Sequence, residues 1–559
     1  MTTFVDPSLP DVSPLPGVTS LQVVSWNVAS VNNNPFEYWI TMKEHPAYNQ
    51  LMIDVEEFIE TPGDNDVEVN AVFTDEMFDS LEARFKDAGW EDHKDEVRAY
   101  WERELRTRKI ISGFMKDKSI GNKRLASMPD RYTNTIDVVG SQIPACRPTV
   151  INMYEGDLGT MSDWWKQWTQ FMFETPLTVR TKKGPKTLKV YELLAPIENS
   201  KYPAITLDEE KISIPLQAVA IAIFDAILVH MLNVVSAPDV WQPIKRDIIS
   251  SLVKNKVPNQ LAILAKQYSG SDIICLQEVS ANFVEEAKVF VDEAKLFTLS
   301  ERYHVVSPAK IDAARGQNSV ILLSKTRFPE GSSGEITHLL ASNFDEGVKS
   351  PVSDGDLLMV TAIDSLGNKY VIASFHGDSN GLATIPVLKA MHKIIATTPT
   401  LVGHNLIFGL DANTHEKGDK DKAGVEEFGT EYLKFGYSSN WGDVPIKDNY
   451  TTYKGRTYLQ TQLNKACKND DKTCFDKNPK DFILFDKKGW TVANTLKDNT
   501  GNRAYIEGMP FPTLDWPSDH GLVWVELTKV LTGGRKTRRK RGRKTRRKRR
   551  RTHRGRGRK

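Results

Sequence analysis

Cysteine is scarce in this chain, and its few cysteines follow no recognisable pattern. Cys146, Cys275, Cys467 and Cys474 lack both the spacing of a structural zinc site and the density of a disulfide framework. Cys275 lies in an apolar run and is expected in the core, whereas Cys467 and Cys474 could pair only in an oxidising compartment. The start of the chain also lacks the basic and apolar regions of a secretory signal. These absences predict an intracellular protein, in the cytoplasm or nucleus, with reduced thiols.

Several common catalytic signatures are also absent. The sequence has no P-loop, no dinucleotide-binding glycine fingerprint, no H-E-x-x-H motif and no nucleophile elbow. None of these motifs therefore assigns a catalytic class to the chain, and its other polar residues must be interpreted without them.

Long apolar runs are rare, and only Leu216–Val235 is long enough to span a membrane. This run contains Asp225, His230 and Asn233, each of which is costly to place in hydrocarbon. We therefore expect a buried helix instead of a membrane span, with His230 as a core histidine.

The formal net charge of +2 hides a strong separation of charge. Residues 535–559 hold 18 of the 74 Lys and Arg residues and no Asp or Glu, which leaves 56 basic against 72 acidic residues elsewhere. The tail repeats G-R-K-T-R-R-K-R at Gly534–Arg541 and Gly542–Arg549. It cannot bury a core, so we expect 532–559 to be a disordered arm that binds nucleic acid or an acidic membrane surface. Tandem tails of this kind resemble those on proteins of large DNA viruses, which favours a viral protein in the host cell or virion.

The pattern of apolar residues divides the rest of the chain into segments. A Pro- and Ser-rich leader, 1–18, precedes a first catalytic-domain strand within 19–34, and 35–236 is predicted to be a mostly helical insertion. Within the insertion, Asp75–Ala88 and Lys94–Lys116 are each predicted to be one helix. The main part of the catalytic domain, 237–531, contains eight or so apolar strands with few crossover helices, which predicts two packed sheets in an α/β protein.

Polar residues lie at the ends of these strands. Asp411 and Asn413 follow L-I-F-G-L at i and i+2, so their side chains point to the same face if the strand continues. Strand ends also carry Asn27, Glu278, His376, Asp481, Asp519 and His520. Carboxylates and amides suit a hard cation such as Mg²⁺ or Mn²⁺, and histidine with an acidic partner suits proton transfer. The set predicts an enzyme that hydrolyses phosphoric esters.

The motifs that contain these residues occur in a particular order. They are W-N, L-Q-E-V, S-F-H, D-A-N, K-D-F-I-L and P-S-D-H. This order resembles the endonuclease/exonuclease/phosphatase superfamily over about 20–34 and 240–530. The resemblance implies a four-layer α/β sandwich of two packed, mostly antiparallel sheets flanked by helices.

The resemblance also implies roles for individual residues. On the metal side it places Glu278 as the principal ligand, Asn27 beside it and Asp519 in support. On the substrate side it implies that His376 contacts the scissile phosphate, Asp411 orients the attacking water, Asn413 binds a phosphate oxygen and Asp481 orients His520. Whether Asp411 or His520 takes the proton is left open.

The sequence departs from the family pattern in two places. Leu410 separates Gly409 from Asp411, where the family has the glycine directly before the aspartate. Asn27 and Glu278 are 251 residues apart, far more than the family needs. The insertion leaves the strand end that carries Asn27, so it either forms a wall or lid of the cleft or packs elsewhere as an inert decoration.

A nuclease acting on DNA or RNA is the first hypothesis, because the basic tail suits phosphate backbones. Thr452, Lys454 and Arg456 are weaker candidates for substrate contacts. The alternative is a phosphatase or phospholipase for phosphoinositide or sphingomyelin-type substrates, drawn to acidic membranes by the same tail. A third hypothesis is a non-catalytic binding protein on a nuclease scaffold.

Overall fold

A computed structural model describes residues 20–32, 34–141, 143–181, 184–292, 297–309, 311, 316–345, 351–445, 447–454, 459 and 476–530. The predicted leader 1–18, the basic tail 532–559, Arg456 and the pair Cys467 and Cys474 lie outside these residues.

Two six-stranded sheets form the centre of the catalytic domain. Their strands, numbered in chain order, are β1 (Ser20–Asn27), β2 (Ile273–Val279), β3 (Tyr303–Val306), β4 (Asn318–Ser324), β5 (Ser333–Glu335), β6 (Leu357–Ile363), β7 (Lys369–His376), β8 (Asn405–Asp411), β9 (Tyr437–Ser439), β10 (Asp481–Asp486), β11 (Trp490–Asp498) and β12 (Leu522–Lys529). The first sheet has the order β11-β12-β1-β2-β4-β3 and the second β5-β6-β7-β8-β10-β9. Only the β1–β2 and β7–β8 pairs are parallel among the described strands of these sheets.

Helices cover the outer face of each sheet. Lys256–Tyr268 and Ala281–Val289 share a hydrophobic core with the first sheet, and Thr384–Thr397 and Val425–Lys434 share one with the second. A third core, of aliphatic and aromatic side chains, lies between the sheets. The four layers of helix, sheet, sheet and helix confirm the predicted α/β sandwich.

The chain between β1 and β2 forms a separate hydrophobic core from Phe36 to Leu252, to which Leu459 of the catalytic domain also belongs. This core includes the helix Pro238–Ile249, so the packed unit extends beyond the predicted boundary at 236. Its other helices are Ala47–Glu60, Asp75–Glu82, Phe85–Ala88, Lys94–Tyr100, Lys118–Lys123, Ser127–Thr133, Met161–Phe173, Leu207–Lys211 and Ser213–Val235, and it contains the hairpin Pro176–Thr181 with Gly184–Lys189.

The predicted helix Lys94–Lys116 is interrupted. The α-helix covers only Lys94–Tyr100, and π-helical turns follow it. The carbonyl groups of Arg106 and Arg108 accept hydrogen bonds from the backbone of Asn70 and Val69. Tertiary hydrogen bonds to a distant segment therefore replace the helical pattern that the sequence favours.

The apolar helix Ser213–Val235 lies inside the insertion. It is long and apolar enough to cross a membrane, but 78% of its most apolar window is buried within the protein. The Asp225 carboxylate accepts hydrogen bonds from Arg147 Nε at 2.6 Å and Trp168 Nε1 at 2.8 Å. The buried charge is thus paired, as burial requires, and the expected buried helix is confirmed.

The two sheets are in close contact at Gly409 of β8. A Cβ atom there would lie 2.5 Å from Cys275 Cβ and 3.0 Å from Ser25 Oγ, both on the first sheet. Gln277 Nε2 spans the same gap, since it donates to Ser25 Oγ at 3.3 Å and to Ser374 Oγ of the second sheet at 3.0 Å. These contacts fix how the strand ends of one sheet align with those of the other.

We expect Gly409→Ala to lower the free energy of unfolding of the catalytic domain by about 1–3 kcal/mol, because the added methyl group overpacks the contact with Cys275. Gly508→Ala is the matched control, since no atom lies within 4 Å of its Cβ position. Urea unfolding of both variants measures the difference. Equal stability of the two variants would contradict the proposed close contact.

Candidate active site

Five of the strand-end residues converge at one end of the two sheets. In the second sheet, His376 pairs with Asp411, and Asp411 pairs with Asp481, at the aligned ends of β7, β8 and β10. In the first sheet, Asn27 ends β1 and Glu278 lies near the end of the parallel neighbour β2. The close contact between the sheets brings these ends within hydrogen-bonding distance.

Asn27 connects carboxylates from both sheets. Its Nδ2 donates to Glu278 Oε1 and to Asp411 Oδ2, both at 2.9 Å, and its Oδ1 accepts from Ala29 N at 3.0 Å. A hard cation binds the amide oxygen, and that oxygen is turned towards the backbone. In this arrangement the Asn27 amide orients the two carboxylates, and its role as a metal ligand stays a prediction.

Glu278, His376 and Asp411 form a group that can hold a metal ion. One ligand atom from each lies within 4.8 Å of the others. His376 Nε2 is 3.2 Å from Glu278 Oε1 and 3.7 Å from Asp411 Oδ2. Asp519 is not part of this group but lines a cavity with Glu278. Two carboxylates at this spacing suit an oxygen-seeking cation such as Mg²⁺ or Mn²⁺.

His520 is held between two buried carboxylates. Its Nδ1 is 2.9 Å from Asp481 Oδ2, and its Nε2 is 3.6 Å from Asp411 Oδ2. Burial alone would lower the pKa of His520, but the negative charges of Asp481 and Asp411 outweigh it and raise that pKa to about 9. His520 is therefore an imidazolium at neutral pH, and Asp481 fixes the orientation of its ring.

Asp411 is fully buried yet remains ionised. Burial alone would raise its pKa, but the charges of His520, His376 and Lys480 and the Asn27 hydrogen bond together hold the pKa below its usual value. The site thus keeps an anion at a position where water is largely excluded.

Two candidate residues have a left-handed backbone. Glu278 has φ +51° and Asn413 has φ +48°, which costs a non-glycine residue on the order of 1 kcal/mol. The Glu278 carbonyl accepts from Ser30 N at 3.0 Å, and Asn413 N donates to Asp411 Oδ1 at 2.8 Å. Strained backbone held by such bonds is typical of functional sites.

Three residues without an assigned role join the first sheet to the His520 loop. Ser518 Oγ donates to Asn27 O at 2.6 Å and accepts from His520 N at 3.1 Å. Trp26 Nε1 and Trp516 Nε1 both donate to the His520 carbonyl, at 3.2 and 3.0 Å. Trp26 and Ser518 belong to the W-N and P-S-D-H motifs, so their positions were marked by the sequence although their contacts were not.

The insertion borders the site. Glu37 and Tyr38 line a cavity of about 200 Å³ together with Glu278, Asp519 and Lys256. Lys256 is only 5% exposed, and sequence reasoning missed it because it lies outside every motif. Burial lowers its pKa, against the opposing effect of Asp519, Glu278 and Glu37. The insertion therefore forms part of the cleft wall.

Of the three weaker substrate candidates, Thr452 is the one whose side chain the structure describes. Thr452 is fully buried, and its hydroxyl donates to Asn478 O at 3.2 Å. Its backbone pairs with that of His520, so Thr452 supports the His520 loop, and a substrate contact of Thr452 stays a prediction. The Lys454 side chain and all of Arg456 lie outside the described part of the chain.

Comparison with known proteins separates the chain into two parts. Residues 66–246 match a family model described as "Domain of unknown function (DUF8234)". The matched stretch falls within the packed unit from Phe36 to Leu252. No curated protein matches the sequence.

Solved structures resemble about half of the chain at low identity. TDP2 of D. rerio, complexed with single-strand DNA product, is 15% identical, with 50% of this chain and 95% of that chain covered and a TM-score of 0.31. The human Nocturnin catalytic domain with bound sulfate is 15% identical, with coverage of 49% and 86% and a TM-score of 0.31. An endonuclease/exonuclease/phosphatase family protein from Leptotrichia buccalis is 16% identical, with coverage of 49% and 95% and a TM-score of 0.32.

The layers and the strand order follow from the structure of this chain, and the ordered motifs follow from its sequence, without these matches. The catalytic domain is a four-layer α/β sandwich, and the ordered motifs of the sequence meet at one cleft of that fold.

Proposed function

We propose that this protein is a divalent-metal-dependent nuclease that hydrolyses phosphodiester bonds of DNA or RNA. The observation that carries the proposal is the buried Asp411 carboxylate, which lies within 4 Å of Asn27, His376 and His520. An anion surrounded by fixed donors and cations suits the orientation of a water molecule beside a phosphate.

The side chains divide the work of hydrolysis. Asp411 accepts a hydrogen bond from the attacking water and is placed to take its proton, because it is ionised whereas His520 is already protonated. The imidazolium of His520 and the His376 ring face the negative charge that grows on the phosphate. When bound at Glu278, Mg²⁺ or Mn²⁺ would supply Lewis-acid neutralisation of the phosphate.

The basic tail supports a nucleic-acid substrate. Its 18 positive charges in 535–559 contrast with the acidic excess of the rest of the chain. Such an arm raises the local concentration of a polyanion at an enzyme whose body repels it.

We expect Asp411→Asn and His520→Gln each to lower kcat by about 10²–10⁴-fold, the range for lost acid–base function. The measurement is turnover with Mg²⁺ on duplex DNA, single-stranded DNA, RNA and phosphoinositide vesicles. Asp208→Asn is the control, because its side chain is 93% exposed on the insertion. Near-normal turnover of both folded variants would contradict the assignment, and hydrolysis of the lipid alone would favour a phosphatase or phospholipase.

The metal assignment makes a separate prediction for binding. Glu278→Gln removes a ligand and should abolish most Mn²⁺ affinity. Asn27→Ala should weaken it by about 10–100-fold, as expected for a residue that orients two ligands. Titration of Mn²⁺ followed by electron paramagnetic resonance measures both, with Asp208→Asn as control. Unchanged Mn²⁺ affinity in both variants would exclude this group as the metal site.

Deletion of 533–559 should flatten the salt dependence of binding to long nucleic acid. Each phosphate neutralised on duplex DNA contributes about −0.9 to the log–log slope, so about six contacts cost roughly a thousandfold in affinity between 50 and 200 mM salt. Turnover of a very short substrate should hardly change. An unchanged slope on long DNA, or lost turnover on the short substrate, would show that the tail is not a tethered electrostatic arm.

A further inference from the structure

Lys480 is a buried lysine inside the site, one residue before Asp481. It is only 6% exposed, and its Nζ donates to Asn413 Oδ1 at 2.9 Å. Its backbone is fixed on both sides, since its N–H donates to Thr451 Oγ1 at 3.0 Å and its carbonyl accepts from Ala412 N at 2.7 Å. The ammonium therefore points at Asn413 from a rigid position.

The contact decides which way the Asn413 amide faces. A lysine ammonium has three donors and no acceptor, so the atom of Asn413 that faces it must be the oxygen. On the other side, Asn413 Nδ2 donates to Gly377 O at 3.3 Å. The reversed amide would place its NH₂ group against the ammonium and its oxygen against the carbonyl, and both contacts would be repulsive.

This orientation leaves one donor of the amide for a ligand. Asn413 Nδ2 carries two N–H groups. Among the described residues, Gly377 O is the one acceptor to which this nitrogen donates. The Asn413 backbone is held as well, through its N–H bond to Asp411 Oδ1 at 2.8 Å. A phosphate oxygen, which only accepts hydrogen bonds, requires this side of the amide.

We propose that Lys480 is a positioning residue, which holds the Asn413 amide with an N–H group directed at the scissile phosphate. The inference rests on the proposed phosphodiester hydrolysis and adds a residue to that site. Lys480 acts through Asn413, in the way that a fixed donor outside a catalytic group sets the geometry of that group.

A series of substitutions at position 480 distinguishes the effect of its hydrogen-bond donors from the effect of its packing. Lys480→Arg still offers donors only, Lys480→Gln offers a donor or an acceptor, and Lys480→Met offers neither. We expect kcat to stay within about threefold in Lys480→Arg and to fall by about 10–100-fold in Lys480→Met, with KM within about twofold, since a misplaced group costs up to about 10²-fold. Lys480→Gln should lie between the two.

Lys477→Met is the matched control. Lys477 lies three residues earlier, and its Nζ is 3.8 Å from the centroid of the Tyr453 ring, outside the site described above. This control should keep the wild-type kcat and KM. Thermal unfolding of every variant shows whether each is folded at the assay temperature.

Three results would overturn the inference. The first is a wild-type kcat in folded Lys480→Met. The second is a lower melting temperature of Lys480→Met with no change in its kcat. The third is a fall in the kcat of Lys480→Arg as large as that in Lys480→Met. Wild-type protein that hydrolyses nothing would instead overturn the proposed function. In that case binding of inorganic phosphate decides the role of Lys480: weakening by about tenfold in Lys480→Met but not in Lys480→Arg supports it, and equal affinity in all variants contradicts it.

Discussion

The close contact between the two sheets at Gly409 determines where every candidate catalytic side chain lies. Because Gly409 has no side chain, β8 approaches Cys275 and Ser25 of the first sheet. Gln277 hydrogen bonds across the gap to Ser374 of the second sheet, while it also bonds to Ser25 of its own sheet. Asp411 then reaches Asn27, although the two residues belong to different sheets and lie 384 positions apart. The departure at Leu410 is accommodated without moving Asp411 from the strand end, since Leu410 packs in the outer core of the second sheet.

Electrostatics follows from this geometry. A buried aspartate would normally take up a proton, but Asp411 faces two histidines, Lys480 and the Asn27 amide. The same carboxylate and Asp481 keep His520 protonated despite its burial. The site therefore holds an anion and a cation less than 4 Å apart, which suits the division of roles in the proposed hydrolysis.

Much of this arrangement was predictable from the sequence, because polar residues that follow apolar strands lie where the strands of a sheet end. The two-sheet fold and the buried helix Ser213–Val235 also followed from apolar patterns. The direction of the Asn27 amide was not predictable, since it depends on partners brought by the fold. The edge strand β11, Trp490–Asp498, has no apolar run that marks it in the sequence, because most of its side chains are partly or fully exposed. The predicted limit of the insertion at 236 rests on composition, whereas the helix Pro238–Ile249 packs with the core of the insertion.

The source of the oxygen that is added to the product tests the proposed hydrolysis most directly. Hydrolysis in water enriched in ¹⁸O should place one solvent oxygen on the phosphate group of the cleaved strand, and Asp411→Asn should slow the appearance of that label in proportion to cleavage. This result is expected if a water oriented by Asp411 attacks phosphorus. A product whose phosphate carries no solvent oxygen, or labelling at the wild-type rate in Asp411→Asn, would contradict the central claim.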